Sequence, residues 1–293
     1  MTDFSRPVPS VGAVVVTYNR PDDLRASVSA LMAQTYPLTS ILVFDNAGPT
    51  PASQLLASNP RLKIVRSEVN LGGAGGFAAG LEAALEQDLD WVWLLDDDAI
   101  AYPDALEKLL SAGVHVEDSG VLLSSVYEFS QIAVRHRRKF EPWTGLEWSV
   151  PKSAYSKPIV RVDTGSFVGF LVPAKLARSI PSPNAEYFLA FDDTEYSLRI
   201  GGLGASLWLV PHSKINHLRA ADSRLRQGPF GWKHFLNVRN HMFVKMRYSR
   251  IKPLAFVFAA LYGILIWLRA DGLSHLKTFQ WLFKALGDGF SGR

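Results

Sequence analysis

Three adjacent carboxylates, Asp96-Asp97-Asp98, stand directly after the apolar run Trp91-Val92-Trp93-Leu94-Leu95. At the end of a strand such a triplet repels itself unless a cation or solvent neutralises it. Oxygen ligands at i and i+2 suit Mg2+ or Mn2+, ions held by one or two carboxylates together with substrate phosphates. An acidic loop or helix cap ahead of Ala99 and Pro103 is the plain alternative. A second acidic group, Phe191-Asp192-Asp193-Thr194-Glu195-Tyr196, follows Tyr187-Phe188-Leu189 and precedes the helix-like Ser197-Leu198-Arg199-Ile200. Its acids would lie at a helix N-terminus, where the dipole favours ionised carboxylate and capping alone would explain them. His217 ends the strand-like runs Ser206 to Val210 and Lys214 to His217; a lone histidine is either a ligand or a structural group.

The run Asn70-Leu71-Gly72-Gly73-Ala74-Gly75-Gly76-Phe77 opens a helix. Its glycines would let backbone N–H groups approach an anion at the helix N-terminus. A dinucleotide fingerprint would follow the first strand with the spacing Gly-x-Gly-x-x-Gly, whereas this run follows the third with another spacing. A tight turn with close helix packing explains it slightly better when it is taken alone.

The elements that must hold these groups follow from hydrophobic patterning. Val11 to Val16 is a short valine-rich run that stops at Thr17-Tyr18-Asn19-Arg20-Pro21, as a buried parallel strand entering a loop does. Asp22 or Asp23 can cap a helix in which Leu24, Val28, Leu31 and Met32 share a face, ending near Tyr36-Pro37. Ile41 to Phe44 reads as a second strand, broken by Asp45-Asn46-Ala47-Gly48-Pro49. A helix around Ala52 to Ala57, a strand Lys63 to Arg66, a helix Phe77 to Glu86 and the strand Trp91 to Leu95 continue the alternation. Such a series argues for a parallel sheet wound with helices, whose ligands gather at the carboxyl ends of the strands. Three of those ends carry Asn19, Asp45 and Asp96. Beyond Ser119 shorter strands are expected at Gly120 to Val126 and Val168 to Val172, with a mobile loop from Arg135 to Lys157. The last forty residues read as one or two helices.

The 293 residues include no cysteine, which excludes a disulfide-stapled module and thiolate metal sites. With 48% hydrophobic and 20% charged residues, disorder and coiled coil are excluded as well. The net charge is only +4, yet nine Lys or Arg (219, 224, 226, 233, 239, 245, 247, 250, 252) face a single acid, Asp222, between Arg219 and Lys252. The first residues, Met1-Thr2-Asp3-Phe4-Ser5, have no signal-peptide pattern, so a cytoplasmic location is the expectation. Pro253 to Leu268, sixteen residues without charge, fall short of the roughly 20 that a spanning helix needs and read as interfacial or buried.

Taken together, a strand-end Asn19 with Arg20, a strand-end Asp45, the Asp triplet, an Asp-Asp-x-Glu group and a histidine 24 residues after Asp193 resemble the family 2 glycosyltransferases. These are inverting enzymes of the GT-A fold. Asn70 to Phe77 followed by Asp90-Trp91-Val92-Trp93-Leu94-Leu95-Asp96-Asp97-Asp98 is similar, more narrowly, to the bacterial galactofuranosyltransferase and rhamnosyltransferase branch. The likeness covers roughly residues 11 to 250 and departs from it at Phe191, where relatives often carry Trp.

The resemblance implies an α/β architecture, a Rossmann-like mixed and mostly parallel sheet flanked by helices. It implies a catalytic domain over 8–250 and a helical, membrane-associating extension over 251–293. It makes Asp193 the general base, Asp96, Asp98 and His217 the ligands of Mn2+ or Mg2+, and Thr17, Asn19, Arg20, Asp45, Asn70, Gly73, Asp96 and Asp97 the donor-binding residues. The donor would be a UDP- or dTDP-sugar, with galactofuranose from UDP-galactofuranose preferred and rhamnose from dTDP-rhamnose the alternative. The acceptor would be a polyprenyl-diphosphate-linked glycan, since a basic segment before an apolar run matches peripheral attachment to an anionic cytoplasmic membrane surface through Phe256, Phe258, Leu261, Ile264 and Trp267. A helix packed on the core or in a homo-oligomer is the other reading of that run. A nucleotide-binding oxidoreductase has only the misplaced glycine run in its favour. A non-catalytic nucleotide-, nucleic-acid- or glycan-binding protein has only the basic stretch, and no nucleic-acid partner is expected.

Overall fold

A computed structural model describes residues 8–113, 120–218, 229–270 and 276–292. Its strands are β1 (Val11–Thr17), β2 (Ser40–Asp45), β3 (Leu62–Arg66), β4 (Trp91–Asp96), β5 (Ala99–Ala101), β6 (Val121–Glu128), β7 (Gln131–Ile132), β8 (Arg137–Phe140), β9 (Glu147–Ser149), β10 (Val160–Val162), β11 (Thr164–Gly165), β12 (Phe170–Pro173) and β13 (Leu207–His217). The helices are α1 (Pro21–Met32), α2 (Ala52–Leu55), α3 (Gly72–Leu85), α4 (Ala105–Gly113), α5 (Ala174–Arg178), α6 (Asp192–Gly202), α7 (Trp232–Tyr248), α8 (Lys252–Arg269) and α9 (Phe279–Ser291).

The main sheet runs β10-β13-β6-β12-β4-β1-β2-β3, with β5 beside β13 and β7 beside β6. Every residue of β1 is buried, because helices cover both faces of this central parallel strand. Val14, Val16, Leu42 and Phe44 pack into one layer, while Ala13, Val15, Ile41 and Val43 pack into the other. Register places the chemistry. Thr17 lies opposite Asp45 and Val16 opposite Asp96, so β1, β2 and β4 end at one level. On the far side β5 runs antiparallel to β13 with Ala99 opposite His217, which draws the histidine beside Asp98.

Several local expectations are corrected. The residue preceding α1 is Arg20, which makes no side-chain cap; Asp22 and Asp23 lie in the first turn behind Pro21. Helix α3 already begins at Gly72, so the glycine run is the helix itself. A Cβ on Gly76 or Gly80 would lie 2.6 or 2.7 Å from the side chains of Val16 and Val14, so these two glycines let α3 seat closely on β1. The stretch Arg135 to Lys157, expected as a mobile loop, contains β8 and β9, which join β11 in a second sheet ordered β11-β8-β9. Its anchor is Arg137, fully buried, whose guanidinium donates to the carbonyls of Ser124, His136 and Val168. The two strand-like runs expected between Ser206 and His217 form one strand, β13, from Leu207 to His217, irregular between Val210 and Lys214.

Helices α7, α8 and α9 pack around Phe230, Val238, Ile266, Trp267 and Leu282, and α7 also reaches the sheet domain through Val244 against Ala74 and Tyr187. Helix α8 is 18 residues long and, by length and composition, apolar enough to cross a membrane. It buries the stripe Ala255, Ala259, Gly263, Ile266 and Trp267. Trp267, expected on the membrane-facing side, therefore points inward, where its indole N–H donates to Thr278 Oγ1. Phe256, Val257, Leu261, Ile264 and Leu265 of α8 are exposed, as are Trp281, Phe283 and Phe290 of α9. Arg219, Asp222, Arg224 and Arg226 of the basic segment lie outside the described residues.

Candidate active site

The strand ends form an open cleft lined by Thr17, Asn19, Arg20, Asp45, Gly48 and Thr50 among others. Four of the predicted donor-binding residues therefore share one pocket. Asp45 is buried at its base, accepting from the amides of Gly48 and Ala52 at 3.1 and 2.8 Å and from the Arg66 guanidinium. Arg66 was not foreseen, although it ends β3 directly opposite Asp45. Asn19 sits at φ 55°, a left-handed conformation that asparagine tolerates.

The triplet divides its labour. Asp97 turns back under β1, accepting from the Thr17 hydroxyl at 2.8 Å and the Tyr18 amide at 3.3 Å. Burial, reinforced by the Asp98 charge, pushes its pKa up to about 7. Asp98 pairs with Arg20 and with His217 Nε2 at 3.0 Å; although burial opposes it, these partners hold its carboxyl below the usual range. Asp96 accepts no hydrogen bond among the described residues, and burial followed by the charge of Asp98 raises it to about 6. Asp96, Asp98 and His217 present ligand atoms within 4.8 Å of one another. A half-buried carboxylate lacking a donor, a second, buried carboxylate and an imidazole make a set that a small oxygen-preferring divalent cation fits.

His217 is tied on its other side, Nδ1 to Glu128 Oε1 at 3.0 Å. Burial would lower its pKa, but the hydrogen bonds to Asp98 and Glu128 raise it to about 10. His136 reaches the same Glu128 oxygen at 3.1 Å, and burial lowers it to about 4. The hydrogen bonds from both histidines keep Glu128 far below the ordinary carboxylate range. Neither Glu128 nor His136 was anticipated: they are remote in sequence from the acid motifs, and the pairing of β6 with β13 brings in Glu128 while the buried Arg137 beside it in sequence brings in His136.

The second acidic group opens α6. Phe188, Ala190 and Phe191 all have positive φ (58, 68 and 66°), a conformation costly for residues with a Cβ and persisting only where surroundings impose it. Two neighbours impose it here. The Asn240 amide of α7 donates to the carbonyls of Tyr187, Leu189 and Ala190 at 2.8–2.9 Å. Gly72 (φ 72°) lies so close that a Cβ would be 2.1 Å from the Phe188 carbonyl oxygen. Asp193 Oδ1 accepts from the Thr194 amide at 2.5 Å and its hydroxyl at 3.0 Å. Its Oδ2 has no partner among the described residues, and its charge is felt at Asp96. Asp192 is buried, and that burial raises its pKa strongly. Glu195 is occupied by Arg199 and the Tyr248 hydroxyl at 2.7 and 2.5 Å. Asn70 caps the glycine turn, accepting from the Gly72 amide at 2.8 Å, while the Cα of Gly73 faces open space.

Strand-end acids, an imidazole and a helix-borne carboxylate around one cleft of a mostly parallel sheet are the architecture of a GT-A glycosyltransferase. The chain belongs to glycosyl transferase family 2, which it matches over residues 13–174. It is 33% identical over 201 residues to galactofuranosyltransferase GlfT1 of Mycobacterium tuberculosis H37Rv, covering 65% of this chain and 64% of that one. To galactofuranosyltransferase GlfT2 of Mycolicibacterium smegmatis it is 24% identical over 275 residues, 81% of this chain and 42% of that one. The chain thus spans less than two thirds of the length of these relatives. Among solved structures, GalNAc-T7 with UDP, GalNAc and Mn2+ superposes with a TM-score of 0.66 at 14% identity, covering 87% of this chain and 51% of that one. S. aureus TarS 1-349 with UDP superposes with a TM-score of 0.62 at 14% identity, over 96% of this chain and 80% of that one.

Proposed function

We propose that this protein is an inverting, divalent-cation-dependent galactofuranosyltransferase that moves galactofuranose from UDP-galactofuranose to a hydroxyl of a polyprenyl-diphosphate-linked glycan. One observation carries the reading: Asp96, Asp98 and His217 converge to within 4.8 Å, with Asp193 near enough for its charge to act on Asp96. The name of the GlfT1 relative supports the sugar, and the ligands in the GalNAc-T7 structure support the nucleotide and the ion.

In this reading residues 8–250 form the catalytic domain and 251–293 the membrane-associating extension. The uridine sits in the cleft between Thr17, Asn19, Arg20 and Asp45, its pyrophosphate passing Asn70 and the open face of Gly73. Asp97 holds the Thr17–Tyr18 corner against which the ribose rests. Asp96, Asp98 and His217 would hold a Mn2+ or Mg2+ ion, which would supply positive charge against the diphosphate leaving group. Asp193 takes the proton from the acceptor hydroxyl through Oδ2, Oδ1 being fixed by Thr194. The acceptor oxygen attacks the anomeric carbon opposite the leaving UDP, so configuration inverts. The protein attaches to the cytoplasmic membrane surface peripherally, by the exposed apolar faces of α8 and α9 with Arg247, Arg250 and Lys252 beside them.

The test is nucleoside diphosphate release, UDP or dTDP according to the donor, by the purified protein with a polyprenyl-diphosphate glycan acceptor and a panel of sugar nucleotides. UDP-galactofuranose should be turned over in Mn2+ or Mg2+ and not in excess chelator. Turnover of dTDP-rhamnose alone, or full activity in chelator, would refute the donor or the ion respectively.

A further inference from the structure

Behind the proposed metal ligands lies a chain of polar contacts that the reaction just described leaves unused. His217 Nδ1 lies 3.0 Å and His136 Nε2 lies 3.1 Å from the same oxygen, Glu128 Oε1. His136 Nδ1 is 2.7 Å from Ser166 Oγ, which in turn is 3.2 Å from a guanidinium nitrogen of Arg137. Following the hydrogens along this chain assigns every donor. Arg137 can only donate, so Ser166 Oγ accepts from it; a neutral His136 that donates from Nε2 has a bare Nδ1, which takes the Ser166 hydrogen. A carboxylate can only accept, so both imidazoles donate to Glu128, His136 from Nε2 and His217 from Nδ1. Arg137 is itself immobilised by the carbonyls of Ser124 and Val168 at 2.9 and 2.7 Å. The Glu128, His136 and His217 side chains are between 11% and 16% exposed, so water competes weakly for these bonds.

We infer that Glu128 is a positioning residue for the catalytic cation: by accepting the Nδ1–H of His217 it reserves Nε2 for the ion beside Asp96 and Asp98, while His136, Ser166 and Arg137 hold Glu128 in place. The inference rests on the metal assignment proposed above. The nitrogen of a neutral imidazole that ligates a metal is decided by the partner of the other nitrogen, and a carboxylate partner also makes the ligand more basic. Nε2 already points at Asp98 Oδ1, 3.0 Å away. Binding therefore exchanges the hydrogen shared with Asp98 for the ion and leaves the Glu128 contact as it stands.

The test titrates Mn2+ into the full chain with UDP present, following free Mn2+ by electron paramagnetic resonance. Glu128→Gln keeps the side-chain volume and removes the charge. It should raise the Kd for Mn2+ by about 10-fold or more, measured well below the melting temperature of the variant, while UDP affinity in chelator stays at the wild-type value. Unchanged Mn2+ affinity, or a loss matched by an equal fold-loss of UDP affinity in chelator, would overturn the inference. A second measurement needs no variant: histidine 15N NMR of the wild-type protein with Mg2+ and UDP should show His217 protonated at Nδ1, and a bare Nδ1 would overturn it. His217→Ala separates the two levels. If it binds Mn2+ as wild type does, the metal assignment itself fails, and this inference with it.

Discussion

Gly72 and Gly73 are neighbours of one type in one motif, yet the structure gives them opposite roles. Gly72 has φ 72°, and a Cβ there would lie 2.1 Å from the Phe188 carbonyl oxygen; Gly73 has nothing within 4 Å. The left-handed conformation alone costs an L-residue about 1–2 kcal/mol over glycine, and the contact with backbone cannot be relieved by rotating a side chain. Gly72→Ala should therefore destabilise by about 2 kcal/mol or more, lowering Tm by at least about 4 °C at roughly 2–4 °C per kcal/mol for a chain of this size. Because the displaced carbonyl belongs to the strained segment that leads into Asp193, turnover should fall further than UDP binding. Gly73→Ala should raise stability by about 0.5–1 kcal/mol, the usual gain of alanine over glycine in a helix. Differential scanning calorimetry of the two variants, with UDP affinity and turnover in parallel, checks both. Equal stabilities of the two, or a Gly72→Ala protein with wild-type Tm, would refute the reasoning.

Asp193→Asn removes the proposed proton acceptor at nearly constant volume and should lower kcat about 10²-fold or more with UDP binding unchanged, whereas Asp192→Asn replaces a carboxyl that burial already disfavours ionising and should cost far less. Lys245 is 3% exposed, and burial, only partly opposed by Glu147, lowers its pKa to about 8. Between pH 8 and 10 the unfolded chain binds the proton more tightly than the folded one, so the Lys245 contribution to stability rises with pH across that window. Lys245→Met should be more stable than wild type at pH 7, by at most about 3 kcal/mol, with the difference shrinking toward pH 10 in denaturant titrations. Replacing Leu261, Leu265 and Phe283 by Glu should abolish co-sedimentation with anionic lipid vesicles while the far-ultraviolet spectrum stays native, because all three side chains are exposed; retained binding would refute attachment through this face.

The wound sheet and its acid-bearing ends were legible because each signal is contiguous: a buried strand and the group it delivers, as in Trp91 to Asp98, lie side by side in the chain. What was not legible depends on pairings across long separations. Glu128 meets His217 only because β6 and β13 run in parallel, and His136 joins them because Arg137, a charged residue in a stretch that reads as a mobile loop, is buried among carbonyls. Arg66 could have been found by aligning the ends of the second and third strands, where it faces Asp45. Phe188, Ala190 and Phe191 carry no sequence mark of their positive φ, since Asn240, about fifty residues away in α7, and Gly72 impose it. Trp267 was counted among membrane-facing side chains because composition does not tell which stripe of an apolar helix packs against its neighbours.

The central claim is that an acceptor oxygen deprotonated by Asp193 attacks the donor from the side opposite the cation-bound diphosphate. It is tested most directly by the anomeric configuration of the product formed from UDP-galactofuranose, read from the one-bond and vicinal couplings of the new linkage by NMR. The account requires a linkage inverted relative to the donor, formed by the wild-type protein in Mn2+ or Mg2+. A product that retains the donor's configuration would contradict it, because retention requires either a covalent sugar–protein intermediate or attack from the leaving-group face, and neither is served by a lone base at Asp193.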